Sequence, residues 1–266
     1  MSAAGVAVRL AEHRNGGRVA HVSVANPGKL NVIGRALMNQ LIAATEDLSA
    51  MPGLRAVVLR GDGEKAFIGG ADIREMAELD AASAPAFITE LHQTCDGLRR
   101  LPVPVIARID GYALGAGLEI AASCDLRIAS ERAVFGMPEV RIGIPSVIEA
   151  ALLPALIGWG RTRQLLLTGE SIKAEEAQRW GLVEQVVPAQ ALDSAVDAMT
   201  EAILACGADA LRLQKDLIRY WEDHTVSDSV ARGITSFAQA WESDEPRRLM
   251  RQFLDAKQAR RDGTKS

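Results

Sequence analysis

One stretch constrains the fold more than any other: Val105-Ile-Ala-Arg-Ile-Asp-Gly-Tyr-Ala-Leu-Gly-Ala-Gly-Leu-Glu119. Val105 to Ile109 is a short β-branched apolar run entered through Pro102 and Pro104, the pattern of a buried strand. Gly111, Gly115 and Gly117 follow, and glycine permits turns in which backbone comes close to a ligand. From Ala116 to about Ser123 the residues suit a helix that is apolar almost all round. Its carboxylate, Glu119, falls in the first turn.

A helix N-terminus presents unpaired N–H groups and a positive dipole end, suited to an oxygen gaining negative charge. A carboxylate held among Leu118, Ile120, Ala121 and Ala122 is pushed toward its protonated form by desolvation. The combination reads as an anion-stabilising main chain beside an acid or base of shifted pKa. The plainer alternative is a tight strand-to-helix turn with Glu119 stabilising the helix start. This stretch alone does not separate the two.

The pattern occurs twice. Lys65-Ala-Phe-Ile-Gly-Gly-Ala-Asp-Ile-Arg-Glu-Met76 again runs from a short strand through glycines into a helix. Asp72 and Glu75 have capping-box spacing, which predicts a helix from Ile73 and makes Asp72 its cap in preference to a catalytic group. Gly69-Gly70-Ala71 and Gly115-Ala116-Gly117 each supply one N–H, and two converging N–H groups make an oxyanion hole. Met137-Pro138-Glu139 adds a second carboxylate twenty residues after Glu119.

Around these segments, Val6 to Leu10 and Val19 to Val24 alternate as strands, with Asn15-Gly16-Gly17 as a hairpin signal. Further strands are expected at Ala56 to Leu59, Leu126 to Ala129, Val134 to Phe135 and Val183 to Val187. Helices are expected at Gly34 to Met51, Ala86 to Leu101, Ser146 to Ile157 with a break at Pro154, Thr162 to Thr168, and Ala174 to Trp180. Beyond Pro188 the chain reads as nearly all helix. Apolar residues make up 48% but aromatics only 4%, so Ala, Val, Leu and Ile carry a core of strands packed on helices.

Several classes are set aside. The net charge of -4 offers no broad basic face for nucleic acid. No uncharged apolar run approaches the ~18 residues of a membrane span, and the N-terminal segment does not read as a signal peptide. Three widely spaced cysteines form no disulfide framework, which fits a reducing compartment, and the expected address is cytoplasmic. Four scattered histidines show no metal-ligand spacing, and His92 reads as a surface or structural residue. A dinucleotide fingerprint at Gly115-Ala-Gly117 fails, because Ile120 replaces the third glycine and Glu119 would repel a pyrophosphate.

The motifs resemble the enoyl-CoA hydratase/isomerase, or crotonase, superfamily. Ala66 to Met76 is similar to its first oxyanion segment and Asp110 to Asp125 to its second. Phe135-Gly-Met-Pro-Glu139 is similar to its second acid/base segment, and Thr168-Gly-Glu through Trp180-Gly-Leu-Val183 to a later signature. The resemblance runs along nearly the whole chain. It implies an α/β fold, a spiral of ββα units over 1–190, with a C-terminal helical region over 191–266 that makes homotrimers or dimers of trimers and covers the acyl-CoA pocket. It implies that backbone N–H groups of Ala71 and Ala116 polarise a thioester carbonyl, and that Glu119 and Glu139 are the two catalytic glutamates of the hydratases. Lys29, Leu30, Gly69, Ala71, Asp72, Ile73, Arg74 and Ala116 fall where the family binds substrate and CoA. No separate cofactor is implied, because CoA arrives with the substrate.

Both glutamates together favour hydration of a 2-enoyl-CoA, as in fatty-acid or related acyl-CoA catabolism. The alternatives are a double-bond isomerase, a thioester hydrolase, or a weakly catalytic acyl-CoA-binding member. Ala116 and Ser146 stand where glycine is usual, and the loop after Glu139 is one residue short of the common form. Glu149 reads as a helix-start residue, with a substrate contact as the alternative.

Overall fold

The computed structural model describes residues 4–13, 16–28 and 30–263. Its strands are β1 (Gly5–Glu12), β2 (Arg18–Ala25), β3 (Leu54–Gly61), β4 (Ala66–Ile68), β5 (Val105–Ile109), β6 (Tyr112–Leu114), β7 (Leu126–Ser130), β8 (Val134–Gly136), β9 (Ser171–Lys173) and β10 (Gln185–Val187). Among the described residues they form two sheets, ordered β1-β2-β3-β5-β7-β10 and β4-β6-β8-β9. The β1–β2 and β8–β9 pairs are antiparallel and the others parallel. The hairpin turn expected at residues 15–17 lies partly outside the described residues; Gly16 and Gly17 have φ of 81° and 90°.

The helices of the first part of the chain are α1 (Arg35–Ser49), α2 (Ile73–Ala77), α3 (Ala84–Arg100), α4 (Ala116–Ala122), α5 (Leu153–Thr168), α6 (Ala174–Trp180) and α7 (Leu192–Leu204). Successive strand pairs β3–β4, β5–β6 and β7–β8 each give one strand to each sheet before the chain turns helical. This is the ββα repetition implied by the resemblance. The larger sheet's inner strands read as continuous Val, Ile and Ala runs because parallel strands are covered on both faces. Phe67, Phe135, Ile33, Met38 and Leu41 fill the core between the layers and are fully buried.

Some local expectations change. Asp72 caps α2 by accepting from Arg74 N–H at 2.9 Å, but Glu75 does not complete the box. Its carboxylate accepts instead from Arg35 N–H at 2.9 Å, filling the place of a side-chain cap that Gly34 cannot supply to α1. Pro154 does not break a helix: it sits in the first turn of α5, where its missing N–H costs nothing. The preceding residues Ile148–Leu152 are a 3₁₀ helix, and Gly158 interrupts α5 with φ 78° and ψ 157°. Strands β6 and β9 went unread in the sequence.

The chain divides into two compact units, Met1–Ile203 and Leu204–Ser266. α7 therefore groups with the first unit, whereas a terminal helical region was expected from 191. The second unit holds α8 (Ala208–Asp223), α9 (Val226–Ala240) and α10 (Glu245–Gly263). Within it the Glu245 carboxylate accepts from Ala208 N–H at 2.8 Å and Ala210 N–H at 3.0 Å, closing the open end of α8. No helix of the described residues is long and apolar enough to cross a membrane.

Candidate active site

The site is built where the glycines allow main chain and carboxylates to approach one another. After β5, Gly111 turns at φ 69°, and a Cβ there would lie 2.0 Å from Lys65 O. β6 then leads to Gly115, at φ 52° and ψ -121°. A Cβ on Gly115 would stand 2.4 Å from Glu139 Oε1, so glycine is required both by the dihedral and by the neighbouring carboxylate. α4 begins at Ala116 and is buried at every residue. Gly115 O already accepts from Leu118 N–H and Glu119 N–H, while the Ala116 N–H, at the first helical position, has no helical partner.

Ala71 is presented differently. It forms a parallel bridge with Ile33, in which Ile33 N–H donates to Gly70 O and Asp72 N–H donates to Ile33 O. The bridge uses the groups on either side of Ala71 and turns the N–H of Ala71 itself the other way. Ala71 and Ala116 both line one cavity of about 730 Å³, and so do Glu119 and Glu139. The rest of its wall is largely apolar, from Met76, Leu79, Phe87, Leu91, Ile142 and Ile144 among others.

The two carboxyl groups sit in unequal surroundings. Glu119 is 4% exposed. Burial pushes its pKa up to about 8, with the Glu139 and Glu149 charges adding to the rise, while a hydrogen bond from Ala150 N–H at 3.0 Å opposes it. Glu139 is half-buried at the start of a 3₁₀ turn, Glu139–Ile142, and its Oε2 accepts from the Ser146 hydroxyl at 2.9 Å. The serine that departs from the usual glycine thus supplies a donor to the second carboxylate.

The raised pKa has a consequence for stability. An acid that holds its proton more tightly folded than unfolded contributes most below its unfolded pKa, and that contribution is lost as pH rises through the folded value. For Glu119 the window runs from 4.5 to about 8. In paired urea titrations, wild type is expected to lose roughly a few kcal/mol relative to Glu119→Gln across this window. A difference that stays constant with pH would show that the carboxyl is not held neutral.

Of the residues singled out in the sequence, Gly69, Ala71, Ile73, Ala116, Glu119 and Glu139 come together around the cavity. Asp72 and Arg74 are not part of its lining; Asp72 serves as the α2 cap and Arg74 is exposed. Leu30 lies beside Gly69, whose N–H donates to Leu30 O at 2.8 Å, but does not line the cavity. Lys29 falls outside the described residues. Sequence reasoning missed the contact of Glu149 Oε1 with His92 Nδ1 at 2.8 Å, and the grip of Ala150 on Glu119. Leu79, Asp80, Ala81, Ala84 and Pro85, between α2 and the start of α3, also contribute to the cavity wall.

Comparison with known proteins gives a consistent result. The family model described as enoyl-CoA hydratase/isomerase matches residues 14–262. The short-chain-enoyl-CoA hydratase of Clostridium acetobutylicum is 34% identical over 240 residues, covering 90% of this chain and 92% of that protein. The crotonyl-CoA hydratase of Syntrophomonas wolfei is 31% identical over 243 residues, covering 91% and 94%. The 1.8 Å crystal structure of enoyl-CoA hydratase from Bacillus anthracis superposes with a TM-score of 0.88 at 30% identity, covering 94% of this chain and 96% of that one. With the match spanning nearly the whole chain, this protein belongs to the enoyl-CoA hydratase/isomerase family.

Proposed function

We propose that this protein is a lyase that adds water across the 2,3 double bond of a 2-enoyl-CoA thioester. The observation that carries the proposal is the presence of Glu119 and Glu139 on one cavity that also receives the main chain at Ala71 and Ala116. The thioester oxygen accepts hydrogen bonds from the two N–H groups, each worth about 3 kcal/mol once negative charge develops on that oxygen. Water attacks Cβ and gives a proton to the carboxylate of the pair. The electron pair of the double bond moves toward Cα, and Cα takes a proton from the protonated member. Near neutral pH the free protein holds that proton on Glu119. One proton across two carboxyl groups is what the chemistry requires. The largely apolar wall suits an acyl chain. The chemistry uses no cofactor beyond the CoA carried by the substrate.

The test is a panel of 2-enoyl-CoA substrates, followed by loss of thioester conjugation in the ultraviolet. Hydration of at least one member is expected. A protein that shifts the double bond, or releases free CoA, without forming the 3-hydroxyacyl product would contradict the reading.

Self-association belongs to the same proposal. Val226, Val230, Ile234 and Phe237 of α9 repeat at helical spacing and are 58–81% exposed; Met250, Phe253 and Leu254 of α10 are also exposed. An apolar helix face of this kind suits burial against further copies of the chain in a trimer or a dimer of trimers. Sedimentation equilibrium is expected to give a trimeric or hexameric mass, and a monomer at micromolar concentration would remove the idea. Action in the cytoplasm goes with the reading, and fractionation with membranes would contradict it.

A further inference from the structure

Three observations meet on the short turn that follows Ser146. The Ala150 N–H donates to Glu119 Oε1 at 3.0 Å. The neighbouring Glu149 is 4% exposed, and while its Oε1 meets His92 Nδ1 at 2.8 Å, its Oε2 is buried with no hydrogen-bond partner among the described residues. Ile148, a β-branched residue, lies at φ 42°, in the left-handed region. A strained backbone persists where its surroundings over-determine it, and such strain gathers at functional sites. A buried carboxylate with one oxygen unpaired is costly in the same sense. Neither His92 nor Glu149 lines the cavity, so direct contact with substrate does not account for them.

We propose that His92 and Glu149 are a positioning pair for the hydration step: they tie residues 148–150 to α3, which holds the Ala150 N–H on Glu119 and fixes the orientation of that carboxyl. The anchor is firm. α3 runs for 17 residues and buries Leu91, Cys95 and Leu98 on the flank of His92. The Cys95 thiol is pushed up by its burial and then by the charges of Glu149 and Glu119, which places both carboxylates within electrostatic reach of α3. The titratable groups gathered at this turn are therefore His92 and Cys95 from α3, Glu119 from α4, Glu139 from its 3₁₀ turn, and Glu149 itself.

The inference rests on the hydratase reading, and its test separates the two. Wild type, His92→Ala, His92→Asn and Glu149→Gln are assayed with crotonyl-CoA. A loosened carboxyl in His92→Ala is expected to lower kcat about tenfold while KM stays within about twofold, because misplacement harms the transition state more than binding. His92→Asn sets an amide nitrogen near the place of Nδ1 and is expected to recover kcat to within about threefold of wild type. Glu149→Gln keeps a hydrogen-bonding group but removes the charge, so the alkaline limb of kcat/KM is expected to move to lower pH. Crystal structures of wild type and His92→Ala supply a readout independent of activity: the 3.0 Å contact from Ala150 to Glu119 is expected only in the former. Unchanged kcat in His92→Ala, or survival of that contact in its structure, overturns the positioning role and leaves the hydratase reading intact. A wild type inert toward crotonyl-CoA and longer 2-enoyl thioesters defeats the hydratase reading, and the crystallographic comparison still decides whether the pair holds Glu119.

Discussion

Replacing Glu119 or Glu139 by glutamine is expected to lower turnover of a 2-enoyl-CoA by at least about 10²-fold in each case, the usual loss when a general acid or base is removed. Glutamine is chosen because it keeps shape and one acceptor oxygen. The Ala150 N–H that serves Glu119, and the Ser146 hydroxyl that serves Glu139, each still find a partner. What is lost is the ability to take or give a proton. The effect should fall on kcat, with KM little changed, since the cavity wall is otherwise intact. The double variant should be hardly worse than either single one, because groups that act as a unit lose their effect together. Turnover within about threefold of wild type in both variants would end the two-carboxylate mechanism, given the loss expected of a missing acid or base. A loss confined to one variant would point instead to a reaction that needs a single carboxylate.

The second large effect is structural. Gly117→Ala is expected to destabilise the protein by roughly 3 kcal/mol, at the upper end of what overpacking costs. Intrinsic propensity argues the other way, since alanine is preferred to glycine inside a helix by about 1 kcal/mol. Geometry decides the sign. A Cβ on Gly117 would lie 2.0 Å from Ile68 O and 2.8 Å from Ile68 C, so it meets main chain and no side chain can swing aside. Either α4 or β4 must move, and β4 leads straight into Gly69-Gly70-Ala71. Activity should therefore fall with stability. Gly160→Ala, in a helical run where the added carbon meets nothing within 4 Å among the described residues beyond its own helix backbone and chain neighbours, is the control and should be neutral or slightly stabilising. Equal urea midpoints for the two variants would refute the close approach of α4 to β4.

The parts legible in the sequence are those set by near neighbours. Val105 to Ile109, the glycines after it and Glu119 within an apolar helix form a local pattern, and the structure keeps it with β5 and α4. The burial of Glu119 followed from its flanking residues, and the rise of its pKa follows from that burial. What stayed hidden depends on residues far along the chain. Tyr112–Leu114 is a strand only because β4 and β8 lie on either side of it; three residues between glycines carry no periodicity of their own. Glu75 fits a capping box by spacing, but Arg35, forty residues earlier, claims it. Glu149 does open a 3₁₀ turn, as a helix-start reading expects, yet its burial and its partner His92 depend on α3 packing beside it. Pro154 was read as a breaker because helix interiors exclude proline, whereas the 3₁₀ segment before it makes it a starter.

The two main-chain donors of the proposed oxyanion hole sit at residues that are already alanine. A conventional scan that truncates each side chain in turn would pass over positions 71 and 116 without changing them. Larger substituents there would report crowding, not the loss of a proton donor. Genetic tolerance at these two sites would thus say nothing about their contribution to rate. To delete the donor the polymer itself has to change, for instance by an ester linkage in place of the amide, which keeps the shape of the chain and takes away only the hydrogen.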